Sequence, residues 1–193
     1  MDESQEQREL AALDECLRGN KAAFEVLVHL HEKKIYNFCQ YLSGNSEDAE
    51  DLAQEVFIKA FYNLSGFRRE SSFYTWLHRI AVNTWISWQR KHRNTSTVPL
   101  EKQGVDGSYA MDLPDPAADP LDQAQAAELR EFFNKALDSL NTEYRAVLVL
   151  REIEGFSYEE IAASTSVSVG TVKSRLNRAR QILKDKIREF SRA

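Results

Sequence analysis

Aromatic, basic and amide side chains lie close together in one short stretch of this sequence. Residues 71–85, SSFYTWLHRIAVNTW, contain four aromatic residues beside His78, Arg79 and Asn83. Aromatic rings can stack on any unpaired base, and an amide group offers both a donor and an acceptor to a base edge. The same composition also suits a buried aromatic core. The remaining sequence has to decide between a core and a nucleic-acid surface.

A second group of polar and basic side chains follows helical spacing between Val169 and Glu189. One face of this predicted helix is apolar and should pack inward, and it comprises Val172, Leu176, Ala179, Leu183 and Ile187. The candidate DNA-reading residues on the other faces are Lys173, Ser174, Arg175, Asn177, Arg178 and Gln181. Short hydrogen-bonding groups bordered by cations suit the major groove between two phosphate backbones.

The segment before this helix predicts a helix-turn-helix. SYEEIAAST begins with Ser157 and Glu160 at the spacing of a capping box, and a small polar turn separates it from the longer helix. From Ser157 to the end the sequence contains eight Lys or Arg residues and only four acids, although the whole chain has a net charge of −5. The alternative is a plain amphipathic helix with a solvated basic face. The capped short helix favours the helix-turn-helix.

Three further helices are predicted before residue 93. One carries apolar residues from Phe24 to Leu42 and can be capped by Asn20; the next starts at a Ser46 cap, and the aromatic helix starts near residue 71 or 72. The apolar stripe of the aromatic helix comprises Phe73, Trp76, Leu77, Ile80 and Thr84, whereas Tyr74, His78 and Trp85 lie on another face. Arg79 and Asn83 share a polar face. This pattern assigns Trp76 to the core and Asn83 to a surface.

The helix after Ser46 has a polar face of acids and amides, formed by Glu47, Asp51, Gln54 and Glu55. Such a face suits a basic partner surface. The alternative is an acidic face that is merely solvated. Composition alone leaves both interpretations open.

The character of the sequence changes from residue 94 to residue 122. This stretch holds all four prolines of the chain. It contains six acids, and its only basic residue is Lys102. Proline restricts its own backbone and that of the preceding residue, so we expect a flexible acidic linker. Helices return from residue 123, with a cap at Asn141 and a left-handed glycine at Gly155. The predicted class is all-α, with two small helical domains at 1–93 and 123–193.

Several functional classes lack their sequence signals. The four histidines and two cysteines show no metal-ligand spacing, and there is no glycine-rich phosphate loop. We therefore expect no enzyme, no metal and no cofactor. Cys16 and Cys39 are expected to be reduced thiols, buried or half-buried. Met1 is followed by polar residues, and the longest apolar runs are too short to span a bilayer. We expect a cytoplasmic protein without membrane insertion.

Three motifs resemble one known family. They are AEDLAQEVFIKAF at 49–61, FYTWLHRIAVN at 73–83 and SYEEIAASTSVSVGTVKSRLNRAR at 157–180. In this order, and split by an acidic stretch, they resemble the extracytoplasmic-function group of bacterial RNA polymerase sigma factors, in particular its sigma-E-like members. The resemblance implies a sigma-2 domain, a linker and a sigma-4 domain.

The resemblance also implies roles for individual residues. Asp51, Gln54 and Glu55 match the region that binds the clamp helices of the largest catalytic subunit of core polymerase. Phe67 and Asn83 match the pocket for a base flipped from the minus-10 strand, and Arg79 shares the face of Asn83.

For the C-terminal half, the resemblance implies that the last helix reads the minus-35 duplex and that the domain meets the flap of the second-largest subunit. It also implies an anti-sigma factor and a stress response. His31 and Ser168 depart from the family pattern, where an aromatic residue and a proline are common, and Asn177 sits where members vary. A conventional dimeric helix-turn-helix regulator, with an N-terminal sensor or dimerisation domain, is the alternative.

Overall fold

A computed structural model of the chain describes residues 3–95 and 132–190, which are helical apart from short connections. No strand occurs within these two ranges, and the predicted all-α class is confirmed. The helices are α1 (Glu3–Leu17), α2 (Phe24–Ser43), α3 (Ser46–Asn63), α4 (Phe73–Thr95), α5 (132–138), α6 (Thr142–Glu152), α7 (Tyr158–Thr165) and α8 (Val169–Phe190).

The predicted linker lies almost wholly outside the described residues. Its first two positions, 94 and 95, belong to α4, which therefore runs past the predicted domain end at 93. The first helix expected after residue 123 is described only from residue 132.

Helix caps follow local sequence signals in the C-terminal half. The side chain of Asn141 accepts from the backbone N–H of Tyr144. Ser157 and Glu160 form both hydrogen bonds of a capping box. Gly155 has the predicted left-handed backbone, with φ +72°. These contacts satisfy N–H groups that a helix start leaves without partners, so they fix where α6 and α7 begin.

Two predicted caps in the N-terminal half are wrong. Asn45, not Ser46, caps α3, because Asn45 is extended and its side-chain oxygen lies 2.7 Å from the backbone nitrogen of Asp48. Asn20 does not cap α2, since a 3₁₀ turn at Lys21–Ala23 intervenes. The Asn20 amide instead donates to Glu15 at 2.7 Å.

The core of the N-terminal half lies between α2, α3 and α4. Its fully buried side chains include Phe38 of α2, Leu52 of α3 and Phe73 of α4. Burial of each such side chain stabilises the fold by about 1.5–3 kcal/mol. His31 is also buried here, and its Nε2 lies 2.7 Å from a carboxylate oxygen of Glu9 on α1. This contact gives the buried imidazole a polar partner, at the position where the resemblance implied an aromatic residue.

The aromatic helix α4 is buried on more than its predicted stripe. Phe73, Leu77 and Thr84 are buried as predicted, but Trp76 is only half-buried. His78 and Trp85 were placed on another face and are nevertheless buried. His78 is covered because the C-terminal half packs on it, with the ring of Phe156 centred 5.2 Å from the imidazole. A long-range contact therefore overrides the one-stripe prediction.

The core of the C-terminal half lies where α6 meets α7 and α8. Every residue from Ala146 to Leu150 is buried, as are Val172, Leu176 and Ala179 on α8. Beyond Ala179, the residues predicted to face inward are no longer buried. Leu183 is half-buried and Ile187 is 50% exposed. The distal part of α8 therefore extends past the helices that cover its beginning.

The two halves of the chain pack against each other. The side chain of Arg145 on α6 is 4% exposed, and its Nε donates to the backbone oxygen of Tyr41 on α2 at 2.6 Å. The guanidinium of Arg145 also pairs with Asp138 at 2.7 Å. Phe133 and Tyr41 meet edge to face, with ring centroids 6.5 Å apart. The buried Arg145 cation thus bridges the C-terminal half to the backbone of the N-terminal half.

Candidate nucleic-acid and polymerase interfaces

The helix-turn-helix predicted from the sequence forms as α7, a short turn and α8. Ser166 closes α7 in the left-handed conformation, with φ +56°. Ser168 then accepts a hydrogen bond from the backbone N–H of Thr171 at 3.1 Å, at the start of α8. The resemblance implied a proline at the position of Ser168. A serine N-cap provides a different local means of starting the same helix.

The candidate DNA-reading face of α8 is largely open to solvent. Lys173, Ser174, Asn177, Arg178 and Gln181 are exposed. The side-chain amide of Gln181 lies 3.2 Å from Asp185, a contact that a base edge could replace. These residues offer donors and acceptors at successive turns of one helix, as base readout in the major groove requires.

Arg175 differs from the other candidates on α8. Its side chain is 20% exposed, and its Nη2 donates to Glu143 of α6 at 2.8 Å. This pair ties α8 to the start of α6. Arg175 is therefore positioned to orient the helix, and it would have to leave Glu143 to contact DNA.

The candidate minus-10 residues lie on α4 beside a shallow pocket of about 290 Å³. Arg79 and Asn83 are exposed and line this pocket together with Trp76 of α4 and Lys59 of α3. The amide nitrogen of Asn83 donates to the backbone oxygen of Arg79 at 2.8 Å. The pocket therefore combines a ring face, two cations and an amide, which are groups that can hold an unpaired base.

Phe67 does not reach this pocket. Its side chain is 7% exposed, and its ring packs against Trp76 and Phe73 at centroid distances of 5.2 and 5.7 Å. The resemblance matched Phe67 to the base pocket, but three aromatic rings cluster around this residue and exclude water. The sequence pattern also missed Trp76 as a pocket residue. Its place at the end of the apolar stripe, next to polar Arg79, was the available signal.

The candidate polymerase-binding face lies on α3. Asp51 and Gln54 are exposed, and Glu55 is half-buried, paired with Lys59 at 2.7 Å. Two large apolar residues continue the same face at helical spacing. Ile58 is 49% exposed and Tyr62 is 77% exposed. The sequence prediction missed both, although their spacing from Asp51 and Glu55 follows one side of a helix.

An apolar pocket of about 400 Å³ opens on the other side of α8. Phe133, Leu183 and Ile187 contribute to its walls, and Lys184 and Arg188 stand at its edge. This pocket explains the exposure of Ile187, since no helix within the described ranges fills the space beside it. The sequence prediction placed Ile187 in the core and so missed the pocket.

Within residues 3–95 and 132–190, no three His, Cys, Asp or Glu side chains are grouped to hold a metal ion. Over the same part of the chain, no helix has the length and hydropathy needed to cross a membrane. Cys16 is half-buried and Cys39 is buried, and both are free thiols.

Comparison with known proteins assigns both halves of the chain. Residues 27–95 match the family model of sigma-70 region 2, and residues 133–183 match that of sigma-70 region 4. The chain belongs to the sigma-70 family, in its extracytoplasmic-function group. It is 35% identical over 175 residues to the ECF RNA polymerase sigma factor SigW of Bacillus subtilis, covering 90% of this chain and 93% of the relative.

Further similarities agree with this membership. The chain is 35% identical over 180 residues to the ECF RNA polymerase sigma-E factor of Escherichia coli K12, covering 91% of this chain and 92% of that protein. A solved structure of the sigma factor RpoE of Bartonella quintana, in complex with the anti-sigma factor NepR, matches with a TM-score of 0.66 and 28% identity. It covers 86% of this chain and 96% of that chain.

The predicted sigma-factor family is thus confirmed. The region-2 match over α2 to α4 favours this family over the alternative of a helix-turn-helix regulator with an N-terminal sensor or dimerisation domain.

Proposed function

We propose that this sigma factor directs core RNA polymerase to particular promoters and assists opening of the DNA strands. The single observation that carries the proposal is the order of its exposed surfaces. A polar face on α3, a base-sized pocket on α4 and an exposed reading face on α8 follow one another along the chain. The chain itself catalyses nothing in this proposal, and the polymerase performs the chemistry.

The N-terminal half would bind polymerase and the minus-10 element. Asp51, Gln54 and Glu55 are proposed to contact the clamp helices of the largest catalytic subunit, with Ile58 as an apolar anchor beside them. Their mixed acidic and apolar character fits a basic helical surface with apolar positions. Arg79 and Asn83 are proposed to hold a flipped minus-10 base.

Phe67 would support that pocket by packing against Trp76, and it would not touch the base itself. Its ring packs at a tilt against Trp76, whose own half-buried ring lines the pocket. Unstacking a base costs a few kcal/mol, which ring stacking and edge hydrogen bonds in such a pocket would offset.

The C-terminal half would bind the minus-35 duplex and the flap of the second-largest subunit. Lys173, Ser174, Asn177, Arg178 and Gln181 are proposed to enter the major groove, with Arg175 orienting α8. The apolar pocket beside Ile187 is the proposed flap site, because an apolar helix there would cover side chains that water now contacts. The domain limits 1–93, 94–122 and 123–193 remain part of this proposal.

Control by an anti-sigma factor, a role in a stress response and a place in the cytoplasm complete the proposal. The similarity to the sigma factor RpoE, whose solved structure includes an anti-sigma factor, supports the first point.

The experiment is reconstitution with core polymerase on linear promoter DNA. We expect the chain to co-elute with core polymerase and to start transcripts at defined positions, which core polymerase alone does not do. Duplex binding without polymerase, at an inverted repeat and with no stimulation of transcription, would contradict the proposal.

A further inference from the structure

The loop between α3 and α4, residues 64–72, joins two walls of the base-sized pocket on α4. Lys59 and Asn63, in the last two turns of α3, line one wall, and Trp76, in the first turn of α4, lines another. A shift of this loop would move the adjoining ends of both helices. The position of the loop therefore affects the space that the pocket offers to an unpaired base.

Both ends of the loop are fixed by local contacts. At its start, the backbone N–H of Phe67 donates to the backbone oxygen of Leu64 at 3.0 Å, and both side chains are buried. At its end, the Ser72 hydroxyl accepts a hydrogen bond from the backbone N–H of Thr75 at 3.0 Å and so caps α4. Between these points, residues 68–71 are exposed. The middle of the loop needs a separate contact if it is to hold one position.

Arg69 lies in this exposed middle and has an unusual backbone conformation. Its φ is +58°, in the left-handed region that arginine seldom adopts. Such a conformation persists only where the surrounding structure holds it. The Arg69 guanidinium donates to the carboxylate of Asp14 on α1. This hydrogen bond and the charge of Arg69 lower the pKa of Asp14 below its usual value, so the carboxylate stays charged in mildly acidic solution.

The helix α1 is itself anchored on both sides of the loop contact. Leu13, the neighbour of Asp14, is 2% exposed and belongs to the core. Glu9, earlier on α1, lies 2.7 Å from the buried His31 of α2. The helix precedes residues 27–95, which match sigma-70 region 2. Asp14 thus reaches the pocket loop from a fixed helix that the family match does not cover.

We propose that Asp14 is a positioning residue for the minus-10 pocket, because its pairing with Arg69 holds the loop between α3 and α4 in place. The inference rests on the proposed function of this pocket, and it adds a residue that shapes the pocket without touching DNA. Two residues before Arg69, the ring of Phe67 packs against Trp76 in the pocket wall, at a centroid distance of 5.2 Å. Loss of the pair should therefore loosen Phe67 and Trp76 together.

The expected effect is modest because the pair is half-exposed. The side chains of Arg69 and Asp14 are 43% and 44% exposed. Water and salt weaken such pairs, and one of them shifts an equilibrium by up to about fivefold. Base preference should respond on this scale, while the helices remain folded.

The test is a charge swap in the full chain. Asp14→Arg and Arg69→Asp each place like charges opposite each other, so each should release the loop. The double variant restores an opposite pair, and aspartate tolerates the left-handed backbone better than arginine does. Glu6→Arg is the matched control, because it makes the same charge change as Asp14→Arg at an exposed position two turns earlier on α1. Arg68→Asp is the control for charge in the loop.

Two measurements follow each variant. The first is the rate at which a glutamyl endopeptidase cuts the free protein after the exposed Glu70, relative to a peptide with the same loop sequence. The second is binding of the complex with core polymerase to bubble promoter DNA, in four versions that differ in one minus-10 base. We expect Asp14→Arg and Arg69→Asp each to be cut about two- to fivefold faster and to lose base preference by a similar factor. The double variant should recover most of both losses.

The control variants should behave differently. Glu6→Arg should change neither measurement. Arg68→Asp should lower binding to all four DNA versions alike, because it removes a cation near DNA without breaking the pair. Circular dichroism reports whether each variant stays helical. If Asp14→Arg does not, Asp14→Asn takes its place, since it removes the charge with little change of shape.

Unchanged cutting and unchanged base preference in both single variants would overturn the positioning role. A double variant no better than the single variants would overturn the pair as its cause. Faster cutting with unchanged base preference would also overturn the proposal, because the pair would then hold the loop without shaping the pocket. Failure of the proposed function looks different: the wild-type complex would show no base preference, while the faster cutting of Asp14→Arg and Arg69→Asp would persist.

Discussion

The side-chain amide of Asn83 faces the backbone oxygen of Ser164 across the boundary between the two halves, with 3.5 Å between nitrogen and oxygen. Asn83 is the proposed minus-10 reader, and Ser164 belongs to the first helix of the helix-turn-helix. One half of the chain thus lies against the residue that the other half would use to hold a base. This proximity makes Asn83 the most informative position for substitution.

Asn83→Ala should impair promoter opening without unfolding the domain. Asn83 is exposed, and its amide bonds locally to the backbone oxygen of Arg79, so the fold loses little. Loss of a paired base-edge contact should remove about 1–3 kcal/mol of base discrimination. Transcription from an ordinary duplex promoter should fall, and a promoter with a pre-opened minus-10 bubble should lose its preference for one base.

Phe73→Ala is the matched control for Asn83→Ala, because Phe73 is 1% exposed and its removal leaves a core cavity. It should lower the free energy of unfolding by about 3–5 kcal/mol. Trp76→Ala should cost less, since its ring is half-buried. Normal opening and unchanged base preference in Asn83→Ala would refute the pocket assignment.

Arg178→Ala and Lys184→Ala should affect DNA binding in different ways. Arg178 is exposed on the reading face, so its loss should weaken binding by about 1–3 kcal/mol and relax preference at one position. Lys184 stands further along α8, where phosphate contact is expected, so its loss should weaken binding to all sequences and lower the salt dependence. Binding titrations on matched duplexes at several salt concentrations check both. Identical behaviour of the two variants would contradict the division of α8 into reading and phosphate-contacting residues.

Local signals in the sequence were sufficient for the caps of α6 and α7. Asn141, and Ser157 with Glu160, bond to backbone groups within three residues, so the spacing alone determines the contact. The exposed face of α8 was predictable for a similar reason, because helical periodicity separates it from Val172 and Leu176. Asn45 and Ser46 show the limit of such signals, because both residue types can cap a helix. Asn45 is the cap because its backbone is extended, whereas Ser46 is already helical.

Long-range packing was not predictable from periodicity. His78 lies outside the apolar stripe of α4, yet Glu154 and Phe156 from the other half cover it. Phe67 was matched to the base pocket through the resemblance alone, but its ring packs against Phe73 and Trp76. In each case the residues that bury the side chain lie on another element. A helical-wheel projection of a single helix cannot show them.

The two thiols should differ in their reaction with a disulfide reagent in the native protein. Burial raises the pKa of the Cys39 thiol well above its usual value, and Cys39 is 0% exposed. Burial and the nearby Glu15 also raise the pKa of Cys16, which is only half-buried. Because the thiolate is the reactive form, we expect one slow-reacting thiol that accelerates as pH rises and one that reacts only after denaturation. Cys16→Ser should abolish the first reaction, and rapid labelling of Cys39 in that folded variant would contradict its burial.

Reversing charge on the exposed face of α3 should weaken assembly with core polymerase. Asp51→Arg with Gln54→Arg turns an acidic and amide surface into a basic one, so attraction to a basic partner becomes repulsion. Both side chains are exposed, so circular dichroism should remain that of the wild type.

Tyr62→Ala tests the apolar part of the same face, since its ring is 77% exposed and contributes little to the core. Gel filtration with core polymerase, at two salt concentrations, gives the readout. The charged variant should lose complex most strongly at low salt, where the attraction is least screened, and Tyr62→Ala should weaken it about equally at both. A matched control, Glu25→Arg on α2, changes an exposed acid outside this face and should assemble normally. Unaltered assembly of the Asp51 and Gln54 variant would move the polymerase contact to another surface.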